Sequence, residues 1–294
     1  MNAADPAPMP RRTLIAGLVA LTTTACARVA FFAANAPALF GAYKRDTEIA
    51  YGEDPLQRLD LYVPDGPSPQ PRPVVVFWHG GGWVSGDKRD YRFVGAALAS
   101  LGCVAVLPNY RLYPQVKMPG FISDAALAAA WAANYAREFQ DPRRFYLMGH
   151  SAGAHLAALV TLDPRYFVRA GQPIPPIAGV IGLSGPYDFL PLKEDDLKDM
   201  FGPPELYALS QPINFARADA PPMLLVHGAD DGTVLPRNSR NLAAALRARG
   251  VPVTLHIYPG LRHADTVAAL SEPARGRAPV FAEIKEFVGA ALLA

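Results

Sequence analysis

From about residue 45 onward, apolar and polar positions follow two rhythms that keep replacing each other. "TEIAYG" and "QRLDLYVP" alternate apolar and polar residues and predict an antiparallel pair of strands near the start of this region. "PVVVFWHG" is a continuous apolar run of the kind that fills a buried parallel strand, and "CVAVLPNYRL", "RRFYLMGH", "IAGVIGLSG", "PMLLVHGADD" and "VTLHIYPG" also read as strands. Between them lie blocks with helical spacing: "YRFVGAALASLG", the alanine-rich "FISDAALAAAWAANYAREF", "SAGAHLAALVTL", "PRNSRNLAAALRARG" and a closing "PVFAEIKEFVGAALLA". Asp124 falls near the start of the alanine-rich helix, where the helix dipole favours an acid. Strand and helix in alternation predict a mainly parallel, twisted sheet with helices on both faces. One stretch breaks the rhythm. Residues from about Phe189 to Ala216 are polar, proline-rich and weakly periodic, and read as a small cap inserted above the C-terminal strand ends, where open α/β sheets place their sites.

Composition narrows the classes. At 51% hydrophobic residues the 294-residue chain can build a large core, and with a net charge of +2 and no basic stripe it is not expected to bind nucleic acid. No solenoid repeat appears. The histidines lack the spacing of a zinc site, and no G-x-G-x-x-G follows the first parallel strand, so neither metal nor dinucleotide nor any other cofactor is expected.

The first residues read as an address. Arg11 and Arg12 precede an apolar run from about Leu14 to Ala25, and small residues lead to Cys26. This is the layout of an export signal over residues 1–26, and its apolar run is short for a bilayer span. A cysteine at the cut point resembles a bacterial lipoprotein signal, in which the thiol carries lipid; Thr23 stands where that pattern usually has Leu. The expectation is export to the cell envelope, with lipidation at Cys26 as one form and a cleaved soluble product or an uncleaved, leader-anchored one as the other, against a cytoplasmic chain that retains an apolar N-terminus. Residues 27–44, "ARVAFFAANAPALFGAYK", are also largely apolar and would lie on a membrane surface or over the site mouth. The other cysteine, Cys103, opens a strand and reads as a small buried hydrophobe.

The chemistry concentrates in three places. Gly149-His150-Ser151-Ala152-Gly153 fits G-x-S-x-G between a predicted strand and a predicted helix. That context makes it a nucleophile elbow, a tight turn holding the serine oxygen at its tip. The glycines are required because strand and helix backbones approach too closely for side chains. His79-Gly80-Gly81-Gly82-Trp83 follows the first parallel strand and fits an oxyanion-hole loop, with the N–H groups of Gly81, Gly82 and Ala152 as donors. A serine hydroxyl needs a base. In the order serine, acid, histidine, "HGADDGTV" offers Asp230 and Asp231, and "YPGLRHAD" offers His263. Asp231, further past the strand end, is preferred; His263 would take the serine proton, and Asp231 would hold its tautomer. His79, His150, His155, His227 and His256 read as packing or loop-bracing residues.

In this order, "HGGGW", "GHSAGAH", "HGADDGTV" and "RHAD", with "SDAALAAAW" and "GPYDF", resemble the hormone-sensitive-lipase-like carboxylesterases of the α/β-hydrolase fold, near kynurenine formamidase and isoprenylcysteine methylesterase. The resemblance covers about residues 45–290. It implies hydrolysis of carboxylic esters with short or medium acyl chains through an acyl-enzyme on Ser151, with a small-molecule ester as substrate. The large N-terminal cap of many such relatives is not expected here, its place being taken by the export segment, and this departure leaves the lid and the acyl pocket undefined by the resemblance. An aryl formamide amidohydrolase is the related alternative. A non-catalytic binding module on the same fold is the alternative of another class, and it would ordinarily have lost the serine or the histidine.

Overall fold

A computed structural model describes residues 29–290. The export signal and Cys26 lie outside the described residues.

Eight strands form one sheet: β1 (Tyr43–Ala50), β2 (Arg58–Pro64), β3 (Val74–Trp78), β4 (Val104–Pro108), β5 (Phe145–His150), β6 (Ile177–Leu183), β7 (Met223–Gly228) and β8 (Val253–Tyr258). Their order is β1-β2-β4-β3-β5-β6-β7-β8. β1 and β2 pair antiparallel, β2 runs antiparallel to β4, and every other pairing is parallel. This is the α/β-hydrolase architecture expected from the alternating rhythms. β3, β4, β5 and β7 are buried along their whole length, which is why their sequences read as unbroken apolar runs.

The topology positions the site. From β3 the chain steps outward to β4, then crosses back over to β5 on the other side of β3. The loops leaving β3 and β5 therefore emerge side by side at the C-terminal strand ends, with Trp78 in register with Gly149. That reversal opens the crevice in which such sheets place ligands.

Two apolar clusters cover the two faces of the sheet. Helix α1 (Arg92–Ser100) packs on one face, and helices α2 (Gly120–Phe139) and α3 (Ala152–Leu162) on the other. Every residue of α3 is buried, so the helix that begins beside the serine runs through the core. In α2 the inward stripe is Phe121, Ile122, Ala125, Ala128, Ala129, Ala132 and Ala136, and the small side chains allow a close approach.

Asp124 differs from its sequence reading. It lies in the fifth position of α2, fully buried, and its carboxylate is gripped by Arg111 at 2.6 and 2.9 Å and by Gln57 Nε2 at 2.7 Å. A buried charge requires partners, and an ion pair to the loop after β4 meets that need; the helix dipole is not its main partner. The aperiodic stretch forms a short helix α4 (Asp195–Phe201) and two 3₁₀ turns at Pro204–Ser210 and Pro212–Phe215. Its Phe201 is buried edge-on against Trp83 and Phe121.

Candidate active site

The elbow explains its own sequence. Ser151 sits at φ 54°, ψ −122°, a backbone conformation that costs an L-residue on the order of 1–3 kcal/mol. The bend throws the strand and helix backbones together. A Cβ on Gly149 would lie 2.2 Å from the Gly153 carbonyl, and one on Gly153 would lie 2.0 Å from the Trp78 carbonyl oxygen. Only hydrogen fits at either place. Ser151 is buried, and its hydroxyl faces His263.

The three groups singled out in the sequence come together across the sheet ends. His263 Nε2 is 2.8 Å from Ser151 Oγ, and His263 Nδ1 is 2.8 Å from Asp231 Oδ2. Asp231 is buried, whereas its neighbour Asp230 is exposed and engages the Leu261 carbonyl only through its backbone N–H. Burial alone would raise the Asp231 carboxyl pKa, but hydrogen bonds from His227, His263 and the Val234 N–H outweigh it and hold it well below the ordinary carboxylate range. Thr233 N–H also donates to its Oδ1, at 2.9 Å. An ionised Asp231 is an acceptor only, so His263 Nδ1 carries the proton and Nε2 is left to accept from the serine.

His227 lies directly behind the acid. Its Nε2 is 2.8 Å from the Val234 carbonyl and 3.2 Å from Asp231 Oδ2, and its Nδ1 is 2.8 Å from Ser239 Oγ. The carbonyl admits only a donor, so Nε2 bears the hydrogen and Ser239 donates to Nδ1.

Three further buried imidazoles hold loops around the serine. His79 Nδ1 donates to the Gly80 carbonyl at 2.8 Å, and its ring stacks on Tyr110 at 4.5 Å. His150 Nε2 donates to the carbonyl of His263 itself at 3.0 Å. His155 Nε2 donates to the Ser210 carbonyl at 2.7 Å, tying α3 to the inserted stretch. Burial is the main cause that pushes these rings down, to about 4, about 3 and about 4 respectively, so all three are neutral at ordinary pH. The bracing role read from the sequence fits these bonds. The tie from His150 to His263 was not legible: adjacency to the serine was visible, but its partner is 113 positions away. His256 stands apart, stacked on Tyr258 and 3.5 Å from Glu283 Oε1.

The HGGGW loop passes beside the elbow. Gly81 (φ 126°) and Gly82 (φ 61°) adopt conformations that favour glycine, and a Cβ on Gly81 would lie 2.0 Å from the Ser85 carbonyl oxygen. The Gly81 carbonyl accepts from Val84 and Ser85, which turns the peptide groups of the loop in a fixed sense. Ala152 opens α3, so its N–H has no intrahelical acceptor. Gly81, Gly82, Ser151 and His263 all line one cavity of about 500 Å³, whose apolar walls come from Trp83, Phe189, Leu192, Leu197 and Leu235. Phe189, Leu192 and Leu197 of the inserted stretch line this cavity, and these wall residues carry no local motif that would have revealed them. Among the described residues no cluster of His, Cys, Asp or Glu could hold a metal ion.

Fold and side-chain arrangement define the class: an α/β hydrolase with a serine–histidine–aspartate relay beside a glycine-rich loop. The chain belongs to the BD-FAE family, whose profile matches residues 59–246. Over 281 residues it is 31% identical to the isoprenylcysteine alpha-carbonyl methylesterase ICME of Arabidopsis thaliana, covering 88% of this chain and 65% of that protein. It is also 31% identical over 225 residues to esterase LipC of Mycobacterium tuberculosis, covering 70% of this chain and 56% of LipC. The chain therefore spans between about half and two thirds of the length of these relatives. Among solved structures it resembles esterase 2 of Thermogutta terrifontis at a TM-score of 0.69, with 26% identity, over 85% of this chain and 94% of that one. Esterase B of Lactobacillus rhamnosus shares the fold at a TM-score of 0.76 and 24% identity, over 96% of each chain.

Proposed function

We propose that this chain is a serine carboxylesterase acting on esters of short or medium acyl chains. The observation that carries the reading is the continuous relay from Ser151 Oγ through His263 to Asp231, 2.8 Å at each step. Methylesterase and esterase names among the relatives support it.

In the mechanism the serine oxygen attacks the ester carbonyl carbon while its proton passes to His263 Nε2. The carbonyl π pair moves onto oxygen, and the N–H groups of Gly81, Gly82 and Ala152 receive the anion. Asp231 stabilises the imidazolium without taking its proton. The C–O bond to the alcohol then breaks, His263 returns its proton to the departing oxygen, and an acyl-serine remains. Water repeats the sequence: its proton goes to His263, its oxygen attacks the acyl carbon, and the serine leaves with the proton restored. Pre-set amide donors of this kind are worth about 3 kcal/mol each in rate. The cavity of about 500 Å³ with apolar walls suits a small acyl group.

Replacing Ser151 with Ala tests the reading. Hydrolysis of p-nitrophenyl butyrate should disappear and the melting temperature should hold. Retained turnover in the folded variant would overturn it. Preference for an aryl formamide over the butyrate, measured as kcat/KM on the same preparation, would move the reading to amide hydrolysis. A serine that no fluorophosphonate labels would leave a binding module.

The export reading is a separate proposal, supported by Arg11, Arg12, the apolar run and Cys26 in the sequence. Among the described residues no helix is long and apolar enough to cross a bilayer, so attachment would fall to the leader or to lipid on Cys26. A Cys26→Ala chain that still fractionates with membranes as the unsubstituted chain does would rule out the lipid anchor.

A further inference from the structure

The segment at the start of the described chain is apolar on both sides. Residues 29–35 form a helix, followed by a 3₁₀ turn at Pro37–Phe40. Its inner side is firmly docked. Phe31 packs against Tyr91 at 5.4 Å between ring centroids, and Ala38 is buried and accepts from the Tyr43 hydroxyl. Asn35 bridges to the loop before α1 and to α1 itself, donating to the Asp90 carbonyl at 2.9 Å and accepting from Phe93 N–H at 2.9 Å. A helix docked on a water-soluble domain ordinarily turns a polar face outward. Here the outward positions are Val29, Phe32, Leu39 and Phe40, exposed by 68%, 75%, 65% and 89%. Four large apolar side chains exposed within twelve residues, on a segment whose inner side is docked, mark a surface built to meet something apolar.

The chain itself says what that is. Val29 lies three residues after Cys26, a reach of at most about 10 Å even fully extended. The apolar run from Leu14 to Ala25 precedes it directly. A retained leader or a lipid on Cys26, as proposed above, would tether hydrocarbon within that reach of the patch. The patch is also next to the site. Phe32 and Leu39 form one wall of an open groove of about 730 Å³ whose other wall includes Gly80 and Gly81 of the oxyanion loop. Gly81 also lines the cavity that holds Ser151.

We propose that Val29, Phe32, Leu39 and Phe40 form a bilayer-seating surface that sets the mouth of the site against lipid, so that the substrates are amphiphilic esters presented from a membrane. The inference rests on the ester-hydrolase and export readings and names where the substrates come from. Attachment alone leaves the domain free to tumble on its tether; the patch fixes which face is down. Each outward phenylalanine contributes by burying its ring among headgroups and acyl chains.

The test uses the full chain and a Phe32→Asp/Phe40→Asp variant, neither residue belonging to the catalytic relay. Both are bound to vesicles of phosphatidylcholine and phosphatidylglycerol, and the bound fraction is isolated by flotation. Per bound molecule, hydrolysis of a long-chain umbelliferyl ester carried in the vesicles should fall about tenfold in the variant, because two buried rings are lost. Turnover of soluble p-nitrophenyl acetate should stay within about twofold, since the catalytic centre is untouched. Equal vesicle rates per bound molecule would overturn the proposal. So would an unsubstituted chain that is dimeric in solution and becomes monomeric in the variant, because the patch would then be a self-interface. If the unsubstituted chain fails on the soluble ester, the hydrolase reading falls, and flotation of a Cys26→Ala chain with and without the phenylalanine pair still reports on the surface.

Discussion

Three neutral imidazoles in the core make stability depend steeply on pH between 6.5 and 4. In an unfolded chain each of His79, His150 and His155 titrates near 6.5; in the fold they titrate near 4, 3 and 4. Their buried second nitrogens, His79 Nε2, His150 Nδ1 and His155 Nδ1, have no hydrogen-bond partner among the described residues, so protonation would bury a charge with nothing to receive it. Because the folded values are depressed, the unfolded state binds protons first. The stabilisation is complete above 6.5, shrinks as pH falls below it, and is exhausted near the folded values. At pH 5 the difference is about 2 kcal/mol for each ring, or about 6 kcal/mol together, nearly all of it lost between pH 7 and pH 5. Set against a net stability of about 5–15 kcal/mol, a loss of that size is a large part of the whole. The depressed Asp231 carboxyl acts in the same direction, but only below the ordinary carboxylate range. Urea unfolding followed by circular dichroism at pH 7, 6 and 5 should therefore show an uptake that averages about two protons across this window and approaches about three at pH 5. His155→Gln should lower stability at pH 7, because its bond to Ser210 is weakened, and should reduce the uptake by about one proton. An uptake below about one proton, or a slope that His155→Gln leaves unchanged, would refute the reasoning.

Other outcomes follow from the same contacts. Asp231→Asn should keep the fold and lower kcat on the order of 10³–10⁴-fold, because an amide there no longer enforces a proton on His263 Nδ1; steady-state kinetics on a p-nitrophenyl ester check this. Gly153→Ala should yield little folded protein, since its methyl would sit 2.0 Å from the Trp78 carbonyl oxygen, and neither backbone can retreat; soluble yield and thermal melting report it. His150→Met removes the N–H that holds the His263 carbonyl, and should lower kcat by about tenfold or more with little change in KM, as expected when a base is held less well. His150→Gln, whose amide can reach the same carbonyl, should recover much of that loss; equal kcat in all three forms would show that the bond does not position the base.

What the sequence revealed and what it hid divides along physical lines. The elbow and the oxyanion loop were legible because each is a local backbone demand. Close approach at Gly149 and Gly153, and positive φ at Gly81 and Gly82, leave glycines in fixed relation to Ser151. β3, β4, β5 and β7 were legible because burial on both faces writes a continuous apolar run. Which strands stand side by side was not, since the adjacency of β3 and β5 depends on a crossover that no short stretch encodes. Asp124 was misread for the same reason: position in a helix is local, but Arg111, on a separate loop, decided its role. The choice between Asp230 and Asp231 shows how the two scales meet. β7 ends at Gly228, and the turn that follows is closed by Asp231 Oδ1 accepting from Thr233 and Val234. Those bonds turn its other oxygen inward to His227 and His263 and leave Asp230 facing solvent. The acid is thus selected by the turn it caps, a local rule, but becomes useful only because a loop after β8 brings His263 to it. The relay is therefore coupled to the integrity of two loops on adjacent strands, and damage to the capping bonds at Thr233 and Val234 should reach the serine through Asp231 and His263 without touching either ring.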